Sequence, residues 1–132
     1  MATYREHTDL PVYQAAFAIA LVVHQLTRQL YNIDRVIAVQ LRRSATSVCA
    51  NIAEGWGKRR YPKSMAFTFN VALGEVGEVQ FWLEYACAVK LISAEQASDL
   101  MAKYREVRAQ LIHMSENAQR WCPPARGQRR RP

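Results

Sequence analysis

Histidine and cysteine side chains, which often bind metals or act as nucleophiles, are scattered along this sequence. The six residues are His7, His24, Cys49, Cys87, His113 and Cys122. No two of them lie three or four residues apart, which is the spacing that would place two ligands on one helical turn. No cysteine stands beside a histidine in a basic turn, and no serine lies in a nucleophile-elbow motif. The sequence therefore predicts no metal, no cofactor and no enzymatic activity.

Two further polar patterns also fall short of catalytic motifs. Glu75 and Glu78 lie one helical turn apart, but no third acid or histidine completes a di-metal motif. We interpret them as a solvated or interface pair. The segment Gly55–Gly57 is not a Walker motif, and no strand pattern precedes it, so it does not predict a phosphate-binding loop.

Basic side chains concentrate in one short segment that also carries aromatic rings. Its residues are Trp56, Lys58, Arg59, Arg60, Tyr61 and Lys63. Cations beside exposed rings can bind phosphates while the rings stack on an unpaired base. The alternative is a solvated loop whose aromatic rings point into the core. An oligomer would repeat the basic segment around a symmetry axis, so that the positive electrostatic fields of the copies would add. Nucleic-acid binding is then as good an interpretation as the solvated loop.

The overall charge suits a polyanionic partner. The chain holds 18 Lys and Arg against 11 Asp and Glu, a net charge of +7. Four of the arginines lie in the last ten residues, where no acid occurs; they are Arg126, Arg129, Arg130 and Arg131. We predict that residues 123–132 form a disordered basic tail that contributes to binding and not to the fold.

One stretch of the second helical segment combines small residues with charged ones. Asn51, Glu54 and Lys58 can share a helix face, either as a ligand contact or as a polar network that fixes subunit register, and we favour the network. Arg42 and Arg43 are about 100° apart on a helix. One of them can reach solvent, where Arg42 would contact nucleic acid, while the other joins an ion pair, for example with Glu54 of another subunit.

Apolar residues recur every three or four positions, which is the period of an amphipathic helix. This pattern predicts four helices, over residues 11–31, 35–58, 62–90 and 94–122. We expect Asp9 and Asp34 to cap the first two helices, and Ser93 with Gln96 to form a capping box before the fourth. Five glycines and five prolines are too few for the many turns of an all-β protein.

Short connections between these helices predict a single domain over residues 1–122. An antiparallel up-down-up-down four-helix bundle is the all-α architecture that such connections favour. The third helix is apolar on more than one side, and the second carries small residues that let a neighbour approach closely. Both features favour an oligomer.

The segment Gln40–Gly55 reads QLRRSATSVCANIAEG, and the segment Leu10–Ala16 reads LPVYQAA. Both resemble motifs of the small four-helix-bundle proteins encoded in intervening sequences of bacterial large-subunit ribosomal RNA genes. The main matching positions are Gln40, Leu41, Arg42, Arg43, Asn51, Glu54 and Gly55. The segment Gly74–Glu78 departs from that family, where a Gly-Ser step is usual.

The resemblance implies an all-α bundle that assembles into a cyclic homopentamer, without an established catalytic activity. The chain is also similar to the accessory variability proteins of diversity-generating retroelements. Those proteins share the bundle and the ring, and they bind a reverse transcriptase and nucleic acid. The matching positions would then serve assembly.

These observations lead to two main hypotheses about function. The first is a non-enzymatic oligomer that binds RNA or DNA through its basic residues. The second is an adaptor ring that docks a partner protein, and a small-molecule pocket within the bundle is a weaker third. Three widely spaced cysteines are typical of a reduced protein, and we expect a cytoplasmic location with no signal segment and no membrane helix.

Overall fold

The computed structural model describes residues 4–122, and their regular structure is entirely helical. The predicted tail, residues 123–132, lies outside this range. A 3₁₀ turn over His7–Asp9 precedes five helices. They are α1 (Pro11–Leu30), α2 (Arg35–Gly57), α3 (Pro62–Ala88), α4 (Ala94–Glu116) and the short α5 (Ala118–Trp121). No helix in this part of the chain is long and apolar enough to cross a membrane.

Local sequence signals account for most of the helix starts. Asp34 caps α2 by accepting a hydrogen bond from the backbone N–H of Ile37 at 3.1 Å. Ser93 and Gln96 form the predicted capping box of α4, with both reciprocal bonds present. Proline occupies the first position of α1 and of α3, where its missing N–H leaves no hydrogen bond unmade.

The predicted cap of α1 was wrong. Asp9 instead closes the preceding 3₁₀ turn, where its carboxylate accepts bonds from the backbone N–H groups of Arg5 and Glu6, both at 3.0 Å. These bonds lower the pKa of Asp9, since they stabilise its charged form. Helix α1 begins after Leu10, whose side chain is buried and cannot cap.

The predicted fourth helix, residues 94–122, is interrupted at Asn117. The Asn117 side-chain amide donates to the carbonyl of His113 at 2.8 Å, the same oxygen that accepts the Asn117 backbone N–H. Asparagine side chains compete with the backbone in this way and favour helix ends over helix interiors. The chain then continues as α5, which carries Arg120.

A single hydrophobic core lies between the helices. Val12, Leu41, Phe69 and Tyr104 are among its fully buried side chains, one from each long helix. Each long helix packs against the next one in the chain, and α1 also packs against α4. The heptad-like spacing of apolar residues therefore predicted the buried face of every long helix.

Helices α2 and α3 lie close together at Gly55. A Cβ atom on Gly55 would lie 2.6 Å from two ring carbons of Phe69, so no larger residue fits without movement. Arg43, which precedes Gly55 in α2, pairs with Glu78, which follows Phe69 in α3. The end of α2 therefore meets the beginning of α3, so these two helices run in opposite directions.

We expect Gly55→Ala to lower the free energy of unfolding by roughly 1–3 kcal/mol, because the added methyl group overpacks the buried ring of Phe69. Gly77→Ala is the matched control, since no atom lies within 4 Å of a Cβ placed there. That substitution should stabilise α3 by up to about 1 kcal/mol through helix propensity. Urea unfolding measures both, and equal effects of the two substitutions would contradict the close approach.

Candidate nucleic-acid interface

The adjacent arginines of α2 reach in different directions. The Nε of Arg42 donates to Oγ1 of Thr27 on α1 at 3.0 Å, and Thr27 is itself fully buried and donates to the carbonyl of His24. Arg42 therefore links α2 to α1. The predicted contact of Arg42 with nucleic acid would use its other two guanidinium nitrogens, because Nε is bonded to Thr27.

Arg43 links α2 to α3 instead. Its guanidinium donates to Oε1 of Glu78 at 2.6 Å and to Oε1 of Gln40 at 3.3 Å. Arg43 is thus the arginine of the two that joins an ion pair, and its partner is Glu78 of the same chain, not the example of Glu54 given above. Gln40 and Arg43 thus act together at the α2–α3 contact, while Leu41 between them is fully buried in the core.

Glu75, which we interpreted with Glu78 as a solvated or interface pair, is partly buried. One carboxylate oxygen, Oε2, is buried without a hydrogen-bond partner in the described part of the chain. Burial raises the pKa of Glu75, and the nearby charge of Glu78 raises it further, while Arg43 opposes both. The pair therefore interacts closely beside the Arg43–Glu78 bridge.

The polar residues near the end of α2 form two separate interactions. Lys58 and Glu54 make an exposed ion pair, with Nζ and Oε1 3.1 Å apart. Asn51 does not join them, because its side-chain amide donates to the carbonyl of Ser47 at 2.8 Å. Within one chain, the predicted network of Asn51, Glu54 and Lys58 is therefore only partly formed.

Arg59 anchors the start of the chain. Its guanidinium carbon lies 4.5 Å from the centre of the Trp56 ring, and its nitrogens donate to the carbonyls of Trp56 and Arg5. The Trp56 indole N–H donates to the same Arg5 carbonyl at 3.2 Å. Because Trp56 is only 4% exposed, its ring cannot stack on a base.

The open part of the basic segment consists of Lys58, Arg60, Tyr61 and Lys63, which we call the loop patch. All four residues are exposed, and Tyr61 is 63% exposed. The guanidinium of Arg60 lies 6.0 Å from the centre of the Tyr61 ring. Cations and a free aromatic face thus occur together at the junction of α2 and α3.

Arg120 is a basic residue that the sequence analysis missed. It lies on α5, and with Lys63 it lines a cavity of about 380 Å³. Its position depends on the helix break at Asn117, which the apolar periodicity did not reveal. The asparagine itself was the available signal, since it often marks a helix end. The predicted contacts Arg126, Arg129, Arg130 and Arg131 lie outside the described residues.

The thiol most deeply placed in the bundle is poorly suited to nucleophilic chemistry. Burial raises the pKa of Cys49 to about 11, which keeps it protonated at neutral pH. Among residues 4–122, no three His, Cys, Asp or Glu side chains gather where they could hold a metal ion.

Comparison with known proteins agrees with the motif resemblance. A family model described as 23S rRNA-intervening sequence protein matches residues 8–113. A crystal structure of a protein with unknown function, from the S23 ribosomal protein family of Bacteroides thetaiotaomicron, is similar with a TM-score of 0.74 and 27% sequence identity. The match covers 79% of this chain and 97% of that one. No curated protein matches. The chain therefore belongs to the 23S rRNA-intervening sequence protein family.

Proposed function

We propose that this protein is a non-enzymatic, oligomeric helical bundle that binds RNA or DNA through its basic surface. The observation that carries the proposal is the loop patch, where three exposed cations lie within three positions of an exposed tyrosine in the sequence. Binding would be mainly sequence-independent, because lysine and arginine neutralise phosphates of any sequence.

The arrangement of the loop patch favours single strands over duplexes. Tyr61 presents a free ring face, and unpaired bases stack on such rings whatever their sequence. The cations beside it would hold the phosphates on either side of the stacked base. Arg59 contributes to this surface indirectly, by fixing the loop against the start of the chain.

Assembly into a ring is part of this proposal. Several large apolar side chains remain exposed on α1, α2 and α3, among them Phe17, Leu21, Val36, Val39, Phe81 and Tyr85. Exposed apolar surface of this kind supports subunit contacts. The homopentamer comes from the motif resemblance. The full up-down-up-down order comes from the short connections between the helices, and the opposite directions of α2 and α3 support it. A ring would present several loop patches at once and raise avidity.

The aromatic surface of α3 favours a second candidate function. Phe81, Trp82 and Tyr85 contact one another, and Phe81 is 51% exposed. Aromatic residues are enriched in protein interfaces. In this alternative the oligomer is a cytoplasmic adaptor that docks a partner protein, and its charge serves solubility.

We expect Tyr61→Ala to weaken binding of a single strand by about 1–3 kcal/mol, while binding of a duplex changes little, because only an unpaired base can stack. Tyr31→Ala is the matched control, since Tyr31 also lies exposed beside a guanidinium, that of Arg35 at 5.3 Å. Fluorescence anisotropy with labelled strands measures both variants. Equal losses for Tyr61→Ala and Tyr31→Ala would contradict a stacking role at the loop patch.

Charge reversal tests the phosphate contacts. Lys58→Glu combined with Arg60→Glu should lower the slope of log affinity against log salt by at least about 0.7 for each lost contact with a single strand. Lys90→Glu combined with Arg105→Glu makes the same change in net charge elsewhere on the surface. If the two double variants have the same salt slope, only the overall charge matters and the loop patch is not the site.

Truncation after Cys122 separates the tail from the bundle. We expect the shortened protein to keep its helical content and its assembly, and to bind a single strand with a smaller salt slope, because four arginines are removed. Circular dichroism and light scattering check the first two expectations. A large loss of helix on truncation would show that the tail belongs to the fold.

Light scattering also tests the assembly. The protein should have a mass several times that of the 15.1 kDa chain, and Phe81→Glu or Phe17→Glu should reduce it, because a buried unpaired carboxylate is costly at an apolar interface. Ala102→Glu, at an exposed position of α4, is the control. A mass of one chain across micromolar concentrations would contradict the oligomer.

A further inference from the structure

A polar cavity of about 380 Å³ opens where α3 begins and α4 gives way to α5. Its polar lining comes from both sides of that junction and consists of Lys63, Ser115, Glu116, Asn117, Gln119 and Arg120. The lining therefore includes two cationic side chains and one carboxylate. The volume falls within the range of ligand pockets, towards its lower end.

The two cations of this cavity are not used by the fold. Three ion pairs occur within residues 4–122, and neither Lys63 nor Arg120 takes part in any of them. Neither side chain donates a hydrogen bond to another residue of this range. Arg42, Arg43 and Arg59 behave differently, since each is committed to a partner on another element. Lys63 and Arg120 thus keep their donors for a ligand.

The hydroxyl group of Ser115 adds a third unused donor. Its Oγ is buried and has no hydrogen-bond partner within the described range. Other helical hydroxyls here donate to a carbonyl one turn back, as Ser44 does to Gln40 and Thr68 does to Ser64. A buried hydroxyl without a partner is costly. Because this Oγ has almost no accessible surface, the Ser115 side chain must rotate towards the cavity before an anionic oxygen there can accept from it.

Asn117 and Glu116 limit what the cavity accepts. The Asn117 amide is already occupied by the carbonyl of His113, so its role is to shape the site. The carboxylate of Glu116 repels any anion, so a ligand must gain more from the two cations than it loses at Glu116. A phosphate group meets the requirement, because its several oxygens can accept from a lysine, an arginine and a hydroxyl together.

We propose that this cavity binds a phosphate group of the nucleic-acid strand that lies on the loop patch. This inference rests on the proposed function, because Lys63 belongs to both sites and only Pro62 separates it from Tyr61. A strand whose base stacks on Tyr61 would bring a neighbouring phosphate to Lys63 and Arg120. The cavity then fixes the position of the strand, while the loop patch supplies stacking and charge.

The first test compares two double variants in binding a labelled single strand. Lys63→Gln with Arg120→Gln should weaken binding on the order of tenfold at low salt, since charged hydrogen bonds to phosphate are lost. Lys90→Gln with Arg105→Gln removes the same charge outside the cavity and should have a much smaller effect. If the intact protein binds the strand and both variants weaken it equally, the cavity is not a phosphate site, although the proposed function stands.

The second test uses inorganic phosphate alone and does not depend on strand binding. Phosphate titrated into the isotope-labelled protein should shift the amide signals of Ser115, Asn117 and Arg120, with little change at Lys90 and Arg105. Ser115→Ala should reduce the affinity for phosphate several-fold and should raise the melting temperature of the free protein or leave it unchanged, because the lost hydroxyl has no partner there.

The two tests together separate the possible failures. Phosphate shifts without any strand binding would support a site for a small phosphate compound and overturn the nucleic-acid proposal. An absence of phosphate shifts, or shifts that remain in the Lys63→Gln and Arg120→Gln variant, would overturn the cavity as an anion site.

Discussion

The close approach of α2 and α3 is the constraint on which the arrangement of this bundle depends. At one end, Gly55 lets the ring of Phe69 pack directly on the α2 backbone. Further along, Arg43 pairs with Glu78 across the same contact. These two contacts hold the pair of helices together at two levels. The α2–α3 connection, which carries the loop patch, therefore starts and ends on helices whose positions are well determined.

The family motif of α2 serves mainly to join helices. Arg42 reaches α1 through Thr27, Arg43 with Gln40 reaches α3, and Gly55 lets the Phe69 ring of α3 pack against α2. These bonds give the adjacent arginines structural roles within a single chain. The exposed basic and aromatic side chains follow the motif in the sequence, and the helix contacts of the motif hold them in position. We therefore expect ligands to bind at the loop patch and at the cavity that shares Lys63 with it.

Local patterns predicted much of the fold from the sequence. The heptad-like apolar spacing identified the four long helices, and Asp34 and the Ser93–Gln96 pair marked where two of them begin. What the sequence did not reveal depends on contacts between distant residues. Arg59 finds the carbonyl of Arg5 only in the folded chain, and the cavity is lined by Lys63 and Arg120, which come from helices far apart in the sequence.

Photo-crosslinking tests most directly whether nucleic acid lies across this end of the bundle. A single strand carrying 4-thiouracil would be bound to the full-length protein, irradiated and mapped by mass spectrometry. Our account predicts crosslinks at Tyr61 and in the segments around Lys63 and Arg120. Crosslinks concentrated on Phe81 and Tyr85, or none from a strand that is demonstrably bound, would contradict it.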